Sequence, residues 1–243
     1  MAGRLFVRGD THANFDFLPY FCEEHNTDKE DFLIVLGDAG ILYFGEDNKH
    51  ERALKNYISQ HPITIVCVRG NHEERPGDRN NMCALTYLER PNLSGPFKWE
   101  AEFPNILYTI DGKEYHFGDK TALVIGGAYS VDKWYRLRVG YNWFENEELT
   151  DEEMDNIISN IRGKSYDFVL THTCPYEWMP TDLFLSSVDQ NTISNRTERF
   201  LSEVKRSCNW GSWWFGHFHA NRVDMRGDGR VNMLYDDIVE LEL

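Results

Sequence analysis

The chain has 243 residues, of which 41% are hydrophobic and 14% aromatic, and this is enough to bury a large core. Its 40 acidic and 25 basic residues give a formal net charge of −15, and no run of lysine and arginine stands out, so nonspecific nucleic-acid binding is not expected. No apolar run reaches the roughly 18 residues that cross a bilayer, and residues 1–10 begin a strand instead of a signal sequence. We therefore expect a cytoplasmic protein that does not enter a membrane.

The chain is predicted to form one domain, residues 1–243, because no tract rich in serine, proline or glycine separates two parts. The five cysteines are scattered, and no two of them form a Cys-x-x-Cys pair. Such cysteines fit reduced thiols better than a disulfide framework.

Short apolar runs, many of them β-branched or aromatic, predict strands along the whole chain. These runs lie at residues 5–7, 32–36, 63–68, 106–110, 121–125, 168–170, 213–215, 222–225 and 231–235. Their number exceeds what one simple parallel sheet would use. Two stacked sheets flanked by helices fit the pattern better.

Apolar residues that recur at spacings of three and four predict helices between these strands. The first two lie at residues 16–25 and 48–60, and a third follows the capping box that begins at Thr150. A fourth is predicted at 192–207, with Ile193 on its inward face. In the second helix the residues predicted to face the core are Ala53, Leu54, Tyr57 and Ile58.

Five of the predicted strands are followed directly by short clusters of polar residues. Ligands of α/β proteins collect outside the carboxyl ends of the strands, so five such ends can direct carboxylate, imidazole and amide groups at one point. Each cluster alone is common by chance, but all five in this order favour a metal site over isolated polar residues. The clusters are Asp10-Thr-His12, Gly37-Asp38, Gly70-Asn71-His72, Thr171-His172 and Gly216-His217-Phe-His219.

The types of ligand in these clusters indicate a pair of divalent metals. Imidazole nitrogen and carboxylate oxygen without thiolate suit manganese, which we expect first, or iron, zinc or nickel. A carboxylate can bridge two cations about 3.5–4 Å apart, and the pair lowers the pKa of a shared water enough to supply hydroxide near neutral pH. Hydrolysis of a phosphate ester by that hydroxide is the expected chemistry.

The clusters resemble the motif set of the calcineurin-like metallophosphoesterases, which runs Asp-x-His, Gly-Asp, Gly-Asn-His-Asp/Glu, Gly/Thr-His and Gly-His-x-His. The resemblance covers about residues 4–219, and segments 126–133 and 143–147 are similar to a bacterial and phage subgroup of largely unassigned substrate. It implies an α/β fold, a four-layer α-β-β-α sandwich with two stacked mixed β-sheets.

The resemblance also assigns metal ligands and an acid. It implies that one metal is held by Asp10, His12 and His219, that the other is held by Asn71, His172 and His217, and that Asp38 bridges both. Asp38 has a catalytic role as the bridge, and His72, which in the family is not itself a ligand, is the candidate acid that protonates the departing alkoxide. The alternative for His72 is a structural histidine in a turn.

The chain departs from the family pattern at two positions. Protein serine/threonine phosphatases of the superfamily have an acid where this chain has Ile41, so another residue must orient His72. The alternatives are Glu73, Glu74 and Asp132. Ala13 replaces a usual glycine, which predicts a changed loop and not a lost site.

Substrate choice is expected to lie in an insertion at about residues 74–146, between the third and fourth clusters. Its basic residues Lys133, Arg136 and Arg138 could hold phosphate oxygens, together with Asn71 at the metals. The alternative for these three is that they are ordinary solvated charges.

The sequence thus predicts a phosphatase or phosphodiesterase that depends on two metals and takes a small phosphorylated substrate. The missing protein-phosphatase residues slightly favour diesters. The alternatives are a non-catalytic metal-binding scaffold of the same fold and a nuclease that acts on nucleic-acid ends or single strands.

Overall fold

Two β-sheets stack face to face at the centre of the molecule. The computed structural model describes residues 3–186, 188–226 and 229–243, with Met225 and Arg226 described by their backbone alone. Its strands are β1 (Leu5–Arg8), β2 (Phe32–Leu36), β3 (Thr64–Val68), β4 (Thr86–Arg90), β5 (Leu93–Phe97), β6 (Ile106–Tyr108), β7 (Lys113–Phe117), β8 (Lys120–Ile125), β9 (Ser165–Thr171), β10 (Asn209–Phe215), β11 (Arg222–Arg226), β12 (Gly229–Met233) and β13 (Ile238–Leu241). The helices are α1 (Leu18–His25), α2 (Lys49–Ser59), α3 (Lys133–Val139), α4 (Asp151–Ile161) and α5 (Arg196–Ser207).

Both sheets contain parallel and antiparallel neighbours. The first has the order β13-β1-β2-β3-β6, in which only β13 runs antiparallel to its neighbour. The second has the order β11-β12-β10-β9-β8-β7-β5-β4, with β8, β9, β10 and β12 parallel. The parallel strands of each sheet therefore end side by side.

Alternating side chains divide the apolar residues into three cores. Leu5 and Val7 of β1 point between the sheets, whereas Phe6 points outward beneath α1. On the outer face of the second sheet, Ile157 of α4 and Phe200 of α5 pack over β8, β9 and β10. This arrangement confirms the predicted four-layer α-β-β-α sandwich. In the part of the chain that the structure describes, no helix has the length and apolar character that a membrane span requires.

Two helices differ from their predicted form. Helix α5 begins at Arg196 and not at residue 192, because Asp189 caps a separate short turn by accepting a hydrogen bond from the Asn191 amide. Ile193 therefore lies outside the helix.

The inward face of α2 matches the prediction in part. As predicted, Ile58 is buried, and Leu54 and Tyr57 are partly buried against the same core. Ala53 is exposed instead, and Glu51 and Lys55 are buried. The Lys55 ammonium lies 2.5 Å from Glu51 and also contacts Glu100. The charges can be buried here because they are paired, which an apolar pattern does not reveal.

Segment 74–146, predicted as an insertion, supplies strands to both sheets. Strand β6 extends the first sheet, and β4, β5, β7 and β8 belong to the second. The part nearest the metal-ligand clusters is the loop after β8 together with α3. The role of the segment in substrate choice stays a prediction.

Candidate metal centre

The five predicted clusters meet at one end of the sandwich, where parallel strands of both sheets stop. Asp10, Asp38 and Asn71 follow β1, β2 and β3 of the first sheet, and His172 and His217 follow β9 and β10 of the second. Hydrogen bonds join the clusters to one another, both between the two sheets and within the second sheet. The His217 amide donates to Asp10 Oδ1 at 2.8 Å, and the Gly216 amide donates to the His172 carbonyl at 2.9 Å.

The glycine before a ligand makes room for a ligand from another cluster. Gly37 has φ +93°, and a Cβ at this position would lie 2.1 Å from His172 Nδ1. A Cβ on Gly70 would lie 1.9 Å from Asp38 Oδ1. The Gly-Asp and Gly-Asn-His pairs therefore have a packing reason, because a larger residue would displace a ligand.

The first group of candidate ligands is Asp10, His12 and His219, whose donor atoms all lie within 4.8 Å of one another. His219 Nε2 lies 3.3 Å from Asp10 Oδ2 and 2.9 Å from His12 Nε2. Two ring nitrogens this close need a shared proton or a shared cation. Asp10 Oδ2 is buried and has no hydrogen-bond partner among the residues described.

The second group is Asp10, Asp38 and His172, again within 4.8 Å. His172 Nε2 lies 3.7 Å from Asp38 Oδ2 and 2.8 Å from Asn71 Oδ1. The other ring nitrogen of His172, Nδ1, lies 2.8 Å from the Leu36 carbonyl oxygen. A carbonyl oxygen can only accept a hydrogen bond, so Nδ1 is the donor. In the neutral ring, Nε2 is then an acceptor that faces the Asn71 amide oxygen.

Asn71 is held in this orientation by a buried chain of hydrogen bonds. Its Nδ2 donates to Ser130 Oγ at 2.9 Å, so Oδ1 points toward His172. The Ser130 hydroxyl donates in turn to Glu147 Oε2 at 2.5 Å, and the Ser130 amide donates to Glu147 Oε1 at 3.1 Å. Sequence reasoning missed this function of Ser130 and Glu147, although both lie in the two segments that resemble the bacterial and phage subgroup.

The electrostatics of the site fit the binding of divalent metal. Burial, together with the nearby charge of Asp10, raises the pKa of Asp38 well above its usual range. Burial and the other histidines lower the pKa of His217 to about 3, so that ring is neutral and has a lone pair free. Two buried carboxylates, the neutral His217 ring and the Asn71 amide oxygen lie close together here. Added positive charge would stabilise such a group, and divalent metals accept ligands of these types.

The two groups have Asp10 in common, whereas the sequence-based hypothesis gives the bridging position to Asp38. Asp38 nevertheless occupies the centre of the site. Its Oδ1 accepts a hydrogen bond from the His72 amide at 2.8 Å, and its Oδ2 lies 3.7 Å from the ring nitrogens of both His72 and His172.

His72 lies at the edge of the site beside an arginine. Arg136 Nη2 donates to His72 Nε2 at 3.3 Å, and Asp132 holds the arginine through both carboxylate oxygens at 2.8 Å. Burial and the charge of Arg136 lower the pKa of His72 to about 2. The ring is therefore neutral in this arrangement, with Nε2 as an acceptor.

Of the three acids considered for orienting His72, Asp132 is the one connected to it, through Arg136. Glu73 accepts hydrogen bonds from the amides of Gly40 at 2.8 Å and Gly70 at 3.2 Å, and Glu74 pairs with Arg79. Ile41, which replaces the acid of the protein phosphatases, is fully buried in the core that contains Phe6 and lies beneath α1.

The other predicted substrate-binding residues lie on α3, where no described residue is buried. Lys133 Nζ lies 4.0 Å from the centre of the Trp143 ring, and Arg138 lies 5.8 Å from that of Tyr135. The structure thus brings Arg136 to the site and places Lys133 and Arg138 against aromatic rings.

Ala13 takes a φ of 65°, in the left-handed region that glycine adopts readily. Its amide donates to the Ala39 carbonyl at 2.9 Å, and the His12 amide donates to the Asp38 carbonyl at 2.8 Å. The loop after β1 is thereby fixed against the loop after β2.

Comparison with known proteins identifies the family. The chain matches the family model described as Calcineurin-like phosphoesterase over residues 3–221. No protein with a curated description matches it. Two similar solved structures are TT1561 of Thermus thermophilus, at 13% identity over 97% of this chain and 90% of that one with a TM-score of 0.46, and Phosphopantetheinyl Hydrolase (PptH) from Mycobacterium tuberculosis, at 11% over 97% and 91% with a TM-score of 0.45. Because the family match spans most of its length, the chain belongs to the calcineurin-like phosphoesterase family.

Proposed function

We propose that this protein hydrolyses phosphate esters with two divalent metals held at the ends of its two sheets. The observation that carries the proposal is the contact between Asn71 Oδ1 and His172 Nε2 at 2.8 Å. In the neutral His172 ring both atoms are acceptors, because Ser130 orients the Asn71 amide and the Leu36 carbonyl accepts from Nδ1. A shared cation removes the repulsion between them.

The proposed ligands are the seven named from the sequence. Asp10, His12 and His219 form one set, and Asn71, His172 and His217 form the other. When bound, the cations would activate water and neutralise phosphate charge. We expect manganese first, then iron, zinc or nickel. Asp38 is the proposed bridge, and Asp10, which belongs to both groups found in the structure, is the rival for that position.

The leaving-group side of the site is proposed to be the His72–Arg136 pair. In the arrangement described, Arg136 carries the charge and His72 accepts its hydrogen bond at 3.3 Å. The pair could place a proton or a positive charge beside a departing oxygen.

The substrate is proposed to be a small phosphate monoester or diester. Arg136 and Asn71 lie where its phosphate would bind, and Lys133 and Arg138 are proposed to act farther out. The absence of the protein-phosphatase acid at Ile41 favours a diester. A cytoplasmic location stays a prediction from the sequence.

The test compares hydrolysis of nitrophenyl phosphate and bis-nitrophenyl phosphate by metal-stripped protein resupplied with manganese, nickel, zinc or magnesium. Asp38→Asn should lower turnover by about a hundredfold or more, because the variant loses a charge that holds the cations. Asp119→Asn, an exposed carboxylate in the turn between β7 and β8, is the matched control and should retain turnover.

Metal stoichiometry distinguishes the two carboxylates. Loss of the bridging ligand should weaken the binding of both ions, whereas loss of the other carboxylate should weaken the binding of one. Metal titrations of Asp10→Asn and Asp38→Asn are therefore compared. Full turnover in metal-replete Asp38→Asn would rule out the bridging role. Tight metal binding without hydrolysis of either substrate would favour the non-catalytic scaffold.

A second candidate, cleavage of single-stranded nucleic acid, is favoured by the exposed aromatic residues of α3. Trp134 is 67% exposed and Tyr135 50%, and both lie on the helix that carries Lys133, Arg136 and Arg138. Aromatic side chains beside basic ones can stack on successive bases. Cleavage of single-stranded DNA that weakens with salt and is lost in Trp134→Ala would support this function, and no cleavage at low salt would dismiss it.

A further inference from the structure

The ring of Tyr235 covers one face of the candidate ligand His219. The two rings are nearly parallel, at 28°, and their centroids lie 4.9 Å apart. Tyr235 follows β12, which runs parallel to β10 in the second sheet, so it reaches the same edge as the ligand clusters. It lies beyond residues 3–221, the part of the chain that matches the family. The contact therefore comes from a part of the chain outside the five predicted clusters.

The ring of His219 lacks the hydrogen bond that usually orients a ligand histidine. Its side chain is 50% exposed, whereas that of Asp10 in the same ligand group is 1% exposed. A ligand histidine usually donates from its second ring nitrogen, as His172 does to the Leu36 carbonyl. Among the residues described, His219 has only the contact of its Nε2 with His12 Nε2 at 2.9 Å, and its Nδ1 has no partner. The stacking contact is therefore the one left to orient this half-exposed ring.

Hydrogen bonds fix Tyr235 to the segments that carry the ligands. Its amide donates to Asn221 Oδ1 at 2.7 Å, and Asn221 Nδ2 donates to Asp236 Oδ1 at 2.7 Å. The Leu234 amide donates at 2.8 Å to the carbonyl of Phe215, the last residue of β10. Contacts that do not involve metal therefore hold Tyr235 in place beside the ligand.

The stacking contact should strengthen when His219 binds a cation. An imidazole that gives its lone pair to a dication loses electron density, and the face of a phenol ring is electron-rich. The 4.9 Å between the ring centroids lies within the roughly 6 Å over which such a face attracts positive charge. A ring that is already held also loses less rotamer freedom when the metal binds. Both effects favour the metal-bound form over the free form, so they add to metal affinity.

We propose that Tyr235 is a positioning residue of the metal centre, which holds His219 for the ion that this histidine shares with Asp10 and His12. The inference rests on the proposed function, because it needs a metal at this group. It gives Tyr235 a contact with a ligand and none with substrate. Its effect is therefore on the affinity of one ion of the pair.

The test is a competition titration of manganese against a fluorescent chelator, with Tyr235→Leu as the variant that removes the ring. One of the two ions should bind about tenfold more weakly, a size that both an aromatic contact and a group that orients a metal ligand can produce. The other ion should keep its affinity, because the stacking involves His219. Tyr235→Phe keeps the ring and should bind both ions as the unmodified protein does.

Tyr57→Leu is the matched control. The ring of Tyr57 also lies beside a histidine, with its centroid 4.9 Å from that of His61, but it belongs to α2 and not to the strand ends. Removing it should leave manganese binding unchanged. Urea unfolding of the metal-free variants measures stability separately from affinity. If Tyr235→Leu does not fold, Tyr235→Met removes the ring with a longer apolar side chain in its place.

The outcomes separate this inference from the proposed function. Manganese affinities in Tyr235→Leu within about twofold of the unmodified protein would overturn the inference even if nitrophenyl phosphates are hydrolysed. Equal weakening of both ions, or the same weakening in Tyr235→Phe, would also overturn it. Tenfold weaker binding of one ion in Tyr235→Leu, with Tyr235→Phe unchanged, would support it even if no phosphate ester is hydrolysed. A protein that binds no manganese would overturn both the inference and the proposed function.

Discussion

Ser130→Ala removes the hydroxyl that orients Asn71, a candidate ligand from which Ser130 lies 59 positions away in the chain. The variant leaves Asn71 Nδ2 with only the longer contact to His72 Nε2 at 3.1 Å, and it leaves Glu147 Oε2 without its donor at 2.5 Å. A buried polar group left unpaired costs about 1–3 kcal/mol. Groups that orient a metal ligand are worth about 10- to 100-fold in metal affinity, which corresponds to about 1.4–2.8 kcal/mol. The cost of the unpaired group and the cost to metal affinity are of similar size. We therefore expect the manganese affinity of Ser130→Ala to fall about 10- to 100-fold.

A competition titration with a fluorescent chelator measures the change in affinity, and urea unfolding of the metal-free protein measures the change in stability. Ser159→Ala removes an exposed hydroxyl that donates to the Asp155 carbonyl within α4, and it should leave the manganese affinity unchanged. Because Ser130 and Glu147 act in one chain, Ser130→Ala combined with Glu147→Gln should weaken manganese binding by less than the sum of the single effects. A manganese affinity in Ser130→Ala within about twofold of the unmodified protein, a difference below about 0.5 kcal/mol, would refute the orienting role.

Three further changes test other parts of the site. Gly37→Ala puts a Cβ 2.1 Å from His172 Nδ1 at a φ of +93°, so metal titration should detect loss of an ion, with a stability loss of about 2 kcal/mol or more in urea. Arg136→Ala should slow alkyl phosphates about tenfold more than nitrophenyl phosphates, and equal slowing of both in steady-state assays would exclude a leaving-group role for the pair with His72. Burial raises the pKa of Glu198 from 4.5 to about 7, so stability present below pH 4.5 should be lost as the pH rises through 7, by about 3 kcal/mol at most, and Glu198→Gln should flatten this dependence in urea titrations at pH 4–8.

The sequence located the candidate ligands because two local rules determine their positions. The first rule is that a short apolar run predicts a strand of the central sheets. The second is that parallel strands end at the same edge of a sheet, so the residues that follow them lie at that edge. Asp10, Asp38 and Asn71 follow this rule in one sheet, and His172 and His217 follow it in the other. Neither rule needs knowledge of contacts between distant residues.

The residues that the sequence did not reveal act through tertiary contacts. Ser130 reaches Asn71, and Glu147 reaches Ser130, only because the loop after β8 folds over the end of the first sheet. No periodicity marks such a contact.

The same limit explains the errors in the helices. The inward face of α2 was predicted from its apolar residues, but Lys55 and Glu51 are buried because partners from other parts of the chain neutralise them. The start of α5 was predicted from a stripe that includes Ile193, whereas the Asp189 cap forms a separate turn there. In both cases a hydrogen bond or an ion pair outweighed the apolar pattern.

The backbone of the site indicates that the fold, not the metal, fixes the ligand geometry. Seven described residues other than glycine have positive φ, and five of them lie in the ligand loops, namely His12, Ala13, Asp38, His217 and His219. Each such conformation costs about 1–2 kcal/mol, so their sum is comparable with the 5–15 kcal/mol stability typical of a whole domain. Contacts that do not involve metal help to hold them: the Asp38 carbonyl accepts hydrogen bonds from the Thr11 and His12 amides at 3.2 and 2.8 Å, and Asp10 Oδ1 accepts one from the His217 amide at 2.8 Å. The ligands should therefore stand in position before the ions arrive, and manganese should raise the unfolding temperature by mass action without changing the far-ultraviolet circular dichroism. A large gain of ordered structure on adding manganese would instead mean that the ions build the site.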